Sequence, residues 1–149
     1  MSPTPRNMEG YTLVEMILVL GVLALVLSTT LSLNLRGSEA RKLQEQARQI
    51  LMMLKAARTE AIVRNAETGV EADLSTSVLR IRGKSEQLVI DKTLRLTLLT
   101  AQQEAMGDKG SIRFFPNGTS TGGVVMLQSA ERSAAVRVDW LTAKISLSR

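Results

Sequence analysis

Residues 11–35 read YTLVEMILVLGVLALVLSTTLSLNL, with one charged side chain, Glu15, and no proline. As an α-helix this stretch of 25 residues would be ~37 Å long, which is enough to cross a hydrocarbon core of about 30 Å. A secretory signal peptide would have a shorter apolar core and a small-residue cleavage site, and the nearest match to such a site, Ser28-Thr29-Thr30, is poor. The stretch is therefore predicted to be a retained membrane-spanning helix.

Glu15, the one charged side chain of this apolar stretch, needs an explanation. A carboxylate inside a membrane helix costs about 2.5–3.5 kcal/mol or more, so it requires either a partner or a place near the interface. Snorkelling of Glu15 towards the interface and pairing with a cation are the two interpretations that the helix alone leaves open.

The residues after this stretch are polar but keep a helical period. Gly37 and Ser38 mark a place where the helix softens and where Ser38 can act as a cap. The chain has no proline between residues 6 and 115, so the helix is predicted to run from about Tyr11 to about Arg64. Its apolar stripe repeats at spacings of four and three, at Leu43, Ala47, Ile50, Leu54, Ala57 and Ala61. Packing of this stripe on the following domain is the favoured interpretation, and an isolated coiled coil is the alternative.

From Thr68 onward the hydrophobic period changes to two. Leu94, Leu96 and Leu98 alternate with polar residues, which is typical of half-buried antiparallel strands. The same alternation occurs at Leu79/Ile81, Val136/Val138 and Ile145/Leu147, and turn sequences separate the runs at residues 83–86, 107–110, 116–118 and 121–123. About eight short strands in two small sheets, covered by the helical stripe, give an α+β fold.

The composition excludes several function classes. The 149 residues include no cysteine and no histidine, so disulfides, thiolate or imidazole metal sites and His-dependent catalytic triads are ruled out. Asp91, Asp108 and Asp139 are scattered and form no calcium-loop pattern, and residues 118–123 do not match a phosphate-binding loop. We therefore predict a protein that is not an enzyme and has no cofactor, catalytic or metal site.

The sequence around Glu15 carries a specific resemblance. Gly10-Tyr11-Thr12-Leu13-Val14-Glu15, after a short polar leader, resembles the prepilin signal of type IV pilins and type II secretion pseudopilins. The resemblance implies that a prepilin peptidase, a membrane aspartic peptidase, cuts between Gly10 and Tyr11 and that the new amine of Tyr11 is then methylated. It also implies that Glu15 pairs with the N-terminal amine of a neighbouring subunit, which would make this carboxylate a device that sets register during assembly.

Three later stretches restrict the resemblance to one group within these pilins and pseudopilins. Residues 57–65 (ARTEAIVRN) look like the helix end of H-type minor pseudopilins and of the related FimT-type minor pilins. Residues 112–123 (IRFFPNGTSTGG) resemble the turn of the same family, and residues 138–142 (VDWLT) fit its last hairpin. The Asn117-Gly118 turn is either a purely structural hairpin, which is favoured, or a loop that contacts a partner.

The resemblance implies a division of the chain and a function. Residues 1–10 are the leader, 11–35 the transmembrane helix, 36–67 its amphipathic continuation and 68–149 a periplasmic β domain. The implied protein is a minor pseudopilin that assembles with major and minor pseudopilins near the tip of a type II secretion filament, helping to export folded proteins. The alternative is a FimT-type minor pilin that binds DNA for uptake.

The distribution of charge bears on two questions: whether the protein binds DNA, and on which side of the membrane its C-terminal part lies. Residues 36–149 hold 18 basic and 12 acidic side chains, a net charge of +6 that favours polyanions, but the cations are dispersed and the C-terminal stretch lacks the basic motif of DNA-binding members. Nucleic acid is therefore not the expected partner. The lysines and arginines that follow the apolar stretch would by themselves favour a cytoplasmic C-terminal part. The resemblance implies the opposite: a single-pass protein of the bacterial inner membrane, with the C-terminal domain in the periplasm.

Overall fold

The computed structural model describes residues 12–100 and 105–148, and within these ranges the side chains of residues 28–38, 105 and 106 are not described. The chain divides into two units, Met1–Gly37 and Ser38–Arg149. Gly10 and Tyr11, which flank the predicted cleavage site, lie outside the described residues, as does the predicted leader.

A single long helix, α1, runs from Leu13 to Val63. It ends in a Schellman arrangement, in which the amides of Asn65 and Ala66 donate to the carbonyl oxygens of Ile62 and Ala61 at 3.3 and 3.2 Å. Asn65 adopts the left-handed conformation that this ending requires, with φ of 47°. The predicted helix has the same extent to within two residues. Residues 37 and 38, where the softening was predicted, are interior helical positions.

The part of α1 in the first unit carries the apolar stretch predicted to span a membrane. Within the described residues, no helix combines the length and the apolar character needed to cross a membrane. The predicted span, residues 11–35, extends beyond the described side chains at both of its ends.

The second unit contains two antiparallel sheets. The first has the order β3-β2-β1-β6-β5 and the second the order β4-β7-β8-β9. The nine strands of the described residues are β1 (Thr68–Asp73), β2 (Val78–Ile81), β3 (Gln87–Val89), β4 (Arg95–Leu99), β5 (Ala105–Met106), β6 (Lys109–Phe114), β7 (Gly123–Gln128), β8 (Ser133–Val138) and β9 (Ile145–Ser148). The predicted α+β class with two antiparallel sheets is confirmed.

One hydrophobic core joins the C-terminal part of α1 to both sheets. The predicted helical stripe from Leu43 to Ala61 is buried throughout, with exposed fractions of 0–3%. It shares this core with Leu79 and Phe114 of the first sheet and with Leu127 of the second. The stripe therefore packs within the domain, as favoured from the sequence.

Candidate assembly surfaces

The start of α1 places Glu15 in a defined local structure. Thr12 precedes the first helical residue, and its hydroxyl oxygen accepts a hydrogen bond from the Glu15 amide at 3.3 Å. Its carbonyl oxygen accepts from the amides of Glu15 and Met16 at 3.1 and 3.2 Å. A threonine followed by glutamate at the third helical position is the sequence pattern of a capping box. This role of Thr12 was missed from the sequence, although the spacing Thr-x-x-Glu would have predicted it.

The first turns of α1 present an apolar surface. Every large apolar side chain from Leu13 to Leu27 is exposed, with 45–76% of its surface accessible. Glu15 is the acidic residue of the first helical turn, where a negative charge interacts favourably with the helix dipole. A contiguous apolar surface of this kind marks a site of contact with lipid or with other protein.

Two of the scattered aspartates, Asp91 and Asp139, accept hydrogen bonds within their own loops. Asp91 Oδ1 accepts from the amide and hydroxyl of Thr93 at 2.9 and 2.7 Å. These hydrogen bonds, the Thr93 amide first, hold the pKa of Asp91 at about 2. Asp139 Oδ1 accepts from the amide and hydroxyl of Thr142, both at 2.8 Å. Among the described residues, no group of three acidic, histidine or cysteine side chains is placed to hold a metal ion.

The outer face of the first sheet is covered by ion pairs. Cross-strand neighbours Glu71 and Arg80 pair at 2.9 Å, and Glu71 also pairs with Arg82 at 3.0 Å. Desolvation opposes the ionisation of Glu71, but hydrogen bonds from Arg82 and Arg80 outweigh it and lower its pKa. Two further pairs on this face are Arg113–Glu67 at 3.1 Å and Lys109–Asp73 at 3.5 Å. The cations of this face are thus matched by carboxylates of the same domain, which weakens its attraction for a polyanion such as DNA.

The predicted Asn117-Gly118 turn joins β6 to the strand that follows. Asn117 Oδ1 accepts from the amide and hydroxyl of Thr119 at 3.1 and 2.7 Å, and Gly118 has φ of 83°. Phe114 is fully buried in the core, whereas Phe115 is half-buried and lies against the guanidinium of Arg113, 5.7 Å from its ring centre. The two phenylalanines therefore lie on opposite faces.

A second surface lies at one end of the outer face of the second sheet. Leu99, Val124 and Arg137 are cross-strand neighbours on β4, β7 and β8, and Trp140 lies two residues after the end of β8. Together they line an open groove of about 430 Å³, which we call the tryptophan groove. Gly122 permits this arrangement, because a Cβ atom at that position would lie 2.9 Å from the Cβ of Trp140. The sequence predicted a turn at residues 121–123 but not the groove beside it.

Comparisons with known proteins fit this architecture. Residues 46–142, about two thirds of the chain, match the family described as "Type II transport protein GspH". The chain is 26% identical over 141 residues to the type II secretion system protein H of Xanthomonas campestris, covering 94% of this chain and 83% of that protein.

Two solved structures share the fold. The minor pseudopilin EpsH from the type II secretion system of Vibrio cholerae aligns with a TM-score of 0.58 and 15% identity, over 72% of this chain and 96% of EpsH. The type IV minor pilin FimU of Pseudomonas aeruginosa aligns with a TM-score of 0.58 and 16% identity, over 75% of this chain and 92% of FimU. At these identities the structural likeness supports the fold alone, whereas the sequence match supports the family. The chain belongs to the GspH family of type II transport proteins.

Proposed function

We propose that this chain is a minor pseudopilin of a type II secretion pseudopilus, and that it assembles with other pseudopilins near the filament tip to help export folded proteins across the outer membrane. The observation that carries the proposal is the family match, which includes about the last third of α1 and all but the last strand of the β domain. A role as a structural subunit also agrees with a domain whose polar clusters are used in its own loops and ion pairs.

The proposal includes processing at the N-terminus. A prepilin peptidase cuts between Gly10 and Tyr11, and Tyr11 then carries the methylated amine. Residues 11–35 cross the inner membrane, residues 36–67 continue the helix and residues 68–149 form the periplasmic domain. Supporting evidence is the row of exposed apolar side chains from Leu13 to Leu27, which lipid or neighbouring helices would cover.

Glu15 is proposed to act in assembly. Cleavage at Gly10 creates a cation at Tyr11, four residues before Glu15, so one carboxylate and one amine share the same depth in the membrane. Because Glu15 lies in the first turn of α1, the helix dipole already stabilises part of its negative charge. The rest of the desolvation cost is met when the amine of a neighbouring subunit approaches, which couples neutralisation of Glu15 to filament growth.

Replacement of Glu15 tests this function. Glu15→Leu makes the helix more apolar, so insertion and leader cleavage should persist, while cross-linking to other pseudopilins and exoprotein secretion should fall. Glu45→Leu, which removes an exposed carboxylate farther along the same helix, is the matched control. Wild-type cross-linking and secretion in the Glu15→Leu cells would refute the pairing.

A type IV minor pilin that binds DNA is the second candidate function, because the fold of FimU matches as well as that of EpsH. The ion-paired outer face of the first sheet argues against it, since Arg80, Arg82 and Arg113 already face carboxylates. Deletion of the gene, with parallel assays of exoprotein secretion, twitching and DNA uptake, separates the two. Loss of DNA uptake with normal secretion would favour the minor pilin.

A further inference from the structure

The tryptophan groove combines exposed apolar side chains with an unusually well-fixed loop. Trp140 and Leu99, which line the groove, have 66 and 56% of their surfaces exposed, and Leu141, the residue after Trp140, has 58%. Trp140 is the single tryptophan of the chain. Large apolar side chains that are exposed side by side mark sites of contact with a partner, and tryptophan is among the residues that contribute most to protein interfaces.

The loop that carries Trp140 and Leu141 is held from three sides. From within the loop, Asp139 Oδ1 accepts hydrogen bonds from the amides of Leu141 and Thr142 at 3.1 and 2.8 Å. From the helix, the guanidinium of Arg58 donates to the Thr142 carbonyl at 3.2 Å. From the preceding turn, the Ser120 amide donates to the Trp140 carbonyl at 3.0 Å. The two apolar side chains are therefore presented by a backbone that is already ordered, which reduces the entropy lost on binding.

The charge beside the groove indicates what kind of surface fits it. Arg137 lies next to Val124 in the same cross-strand row and is exposed. It forms no salt bridge with any residue in the described part of the chain. The carboxylate that lines the groove, Asp139, directs one oxygen into its own loop. A complementary partner has an apolar side chain to fill the groove and a carboxylate to meet Arg137.

A protein surface fits these features better than a nucleic acid or a second copy of this chain. Binding of single-stranded nucleic acid uses several aromatic platforms along a basic track, and this groove offers one aromatic side chain and one arginine. A second copy meeting the groove face to face would place Arg137 against Arg137, and like charges across an interface are unfavourable.

We propose that the tryptophan groove binds a neighbouring pseudopilin, which inserts an apolar side chain beside Trp140 and pairs a carboxylate with Arg137. This inference rests on the proposed function and assigns to it a contact in the folded domain, separate from the N-terminal helix. Trp140 supplies most of the buried apolar contact, and Arg137 selects the orientation of the neighbour.

Photo-cross-linking of the full chain in cells with an active type II system tests the proposal. A photoreactive residue replaces Leu141 in one strain and Gln87, an exposed residue on the outer face of the first sheet, in the control strain. We expect the Leu141 position to form an adduct with another pseudopilin and the Gln87 position to form none. An adduct with nucleic acid, with lipid or with a second copy of this chain, or no adduct above the control, would overturn the proposal.

Variants that change the charge of Arg137 or the size of Trp140 test whether these two side chains make the contact. In the Leu141 cross-linking strain, Arg137→Glu and Trp140→Ala should each lower the adduct yield about tenfold, whereas Arg137→Lys should keep most of it. Both side chains are exposed, so the melting temperature of each variant should stay near that of the parent, which separates loss of binding from loss of folding. An unchanged adduct yield in Arg137→Glu would contradict the charge pairing.

The two proposals fail in different ways. A photoreactive residue at Leu13, in the first turn of α1, reports assembly through the helix. Pseudopilin adducts at Leu13 without any at Leu141 would overturn the groove and leave the proposed function standing. Absence of pseudopilin adducts at both positions, with normal secretion after deletion of the gene, would overturn both.

Discussion

Alanine substitutions at Gly122 and Gly118 measure how tightly Trp140 lies on the turn that precedes β7. Both glycines have positive φ, 72° and 83°. The space around them differs, because a Cβ at Gly122 would lie 2.9 Å from the Cβ of Trp140, whereas a Cβ at Gly118 would meet nothing within 4 Å. The pair therefore separates backbone strain from crowding.

The magnitudes follow from these two environments. A left-handed conformation costs alanine roughly 1–2 kcal/mol of folded-state stability. Alanine also stiffens the unfolded chain, which raises the free energy of unfolding by about 0.4–1 kcal/mol. Gly118→Ala should thus lower the free energy of unfolding by about 0–1.5 kcal/mol. Gly122→Ala carries the same backbone cost and an added crowding cost of roughly 1–3 kcal/mol, as in overpacked cores.

Thermal and urea unfolding of residues 38–149 provide the assay, with the fluorescence of the single tryptophan as a local signal. For a domain of this size, roughly 4 °C of melting temperature corresponds to 1 kcal/mol, so Gly122→Ala should melt about 4–12 °C below Gly118→Ala. The tryptophan emission of the folded state should change in Gly122→Ala alone. Equal losses in the two variants, with unchanged emission, would refute the packing of Trp140 on Gly122.

Three further predictions concern the core, the aspartate loops and processing. Leu54 is fully buried, so Leu54→Ala should lower the free energy of unfolding by about 2–5 kcal/mol and Leu54→Asp should prevent stable folding. Met52 is 62% exposed, so Met52→Ala should change the free energy of unfolding little. Equal melting temperatures for Leu54→Ala and Met52→Ala would contradict the burial of Leu54. Asp73 and Asp91 have pKa values of about 2 in the folded domain, below the usual 3.8, so their contribution to stability is complete above about pH 4 and is lost as the pH falls towards 2. Asp91→Asn should flatten this acid-induced fall in melting temperature, and an unchanged pH profile would count against the Asp91 contribution. Gly10→Val should block leader removal, because a branched side chain crowds the scissile bond, and intact-mass analysis of the membrane fraction checks it; a wild-type chain that still begins at Met1 would show that no cleavage occurs there.

The helix and its buried face were predictable because they depend on spacing along one segment. Leu43, Leu54 and Ala61 recur at helical intervals, and only one face of a helix can meet a core, so the pattern identifies the buried side chains. The turn at Asn117-Gly118 was predictable for a similar reason, since the requirement for positive φ at Gly118 is local.

The surfaces could not be derived in the same way. The pairing of Glu71 with Arg80 depends on the register between β1 and β2, and that of Arg113 with Glu67 on a contact between segments 46 residues apart in the sequence. Alternation within a strand gives the two faces but not the cross-strand neighbour. The tryptophan groove likewise requires Leu99, Val124 and Arg137 to meet across three strands.

The loops of Asp91 and Asp139 are an intermediate case. Each aspartate is followed by a threonine two or three residues later, and this spacing allows the carboxylate to accept hydrogen bonds within its own turn. From the sequence, these aspartates were interpreted only as candidate calcium ligands. The local spacing contained enough information to predict their role as loop anchors.

The hydrogen bond from Arg58 to Thr142 also has a consequence for the order in which the domain forms. It joins residues 84 positions apart, so the helix and the loop behind Trp140 must be brought together before the loop is anchored. Contacts between such distant segments form late, because closing a long stretch of chain loses entropy before the contact can stabilise the chain. If the tryptophan groove receives a neighbouring subunit, a partly folded chain has no finished surface to offer. Incorporation would then select for completed subunits, and assembly itself would act as a checkpoint on folding.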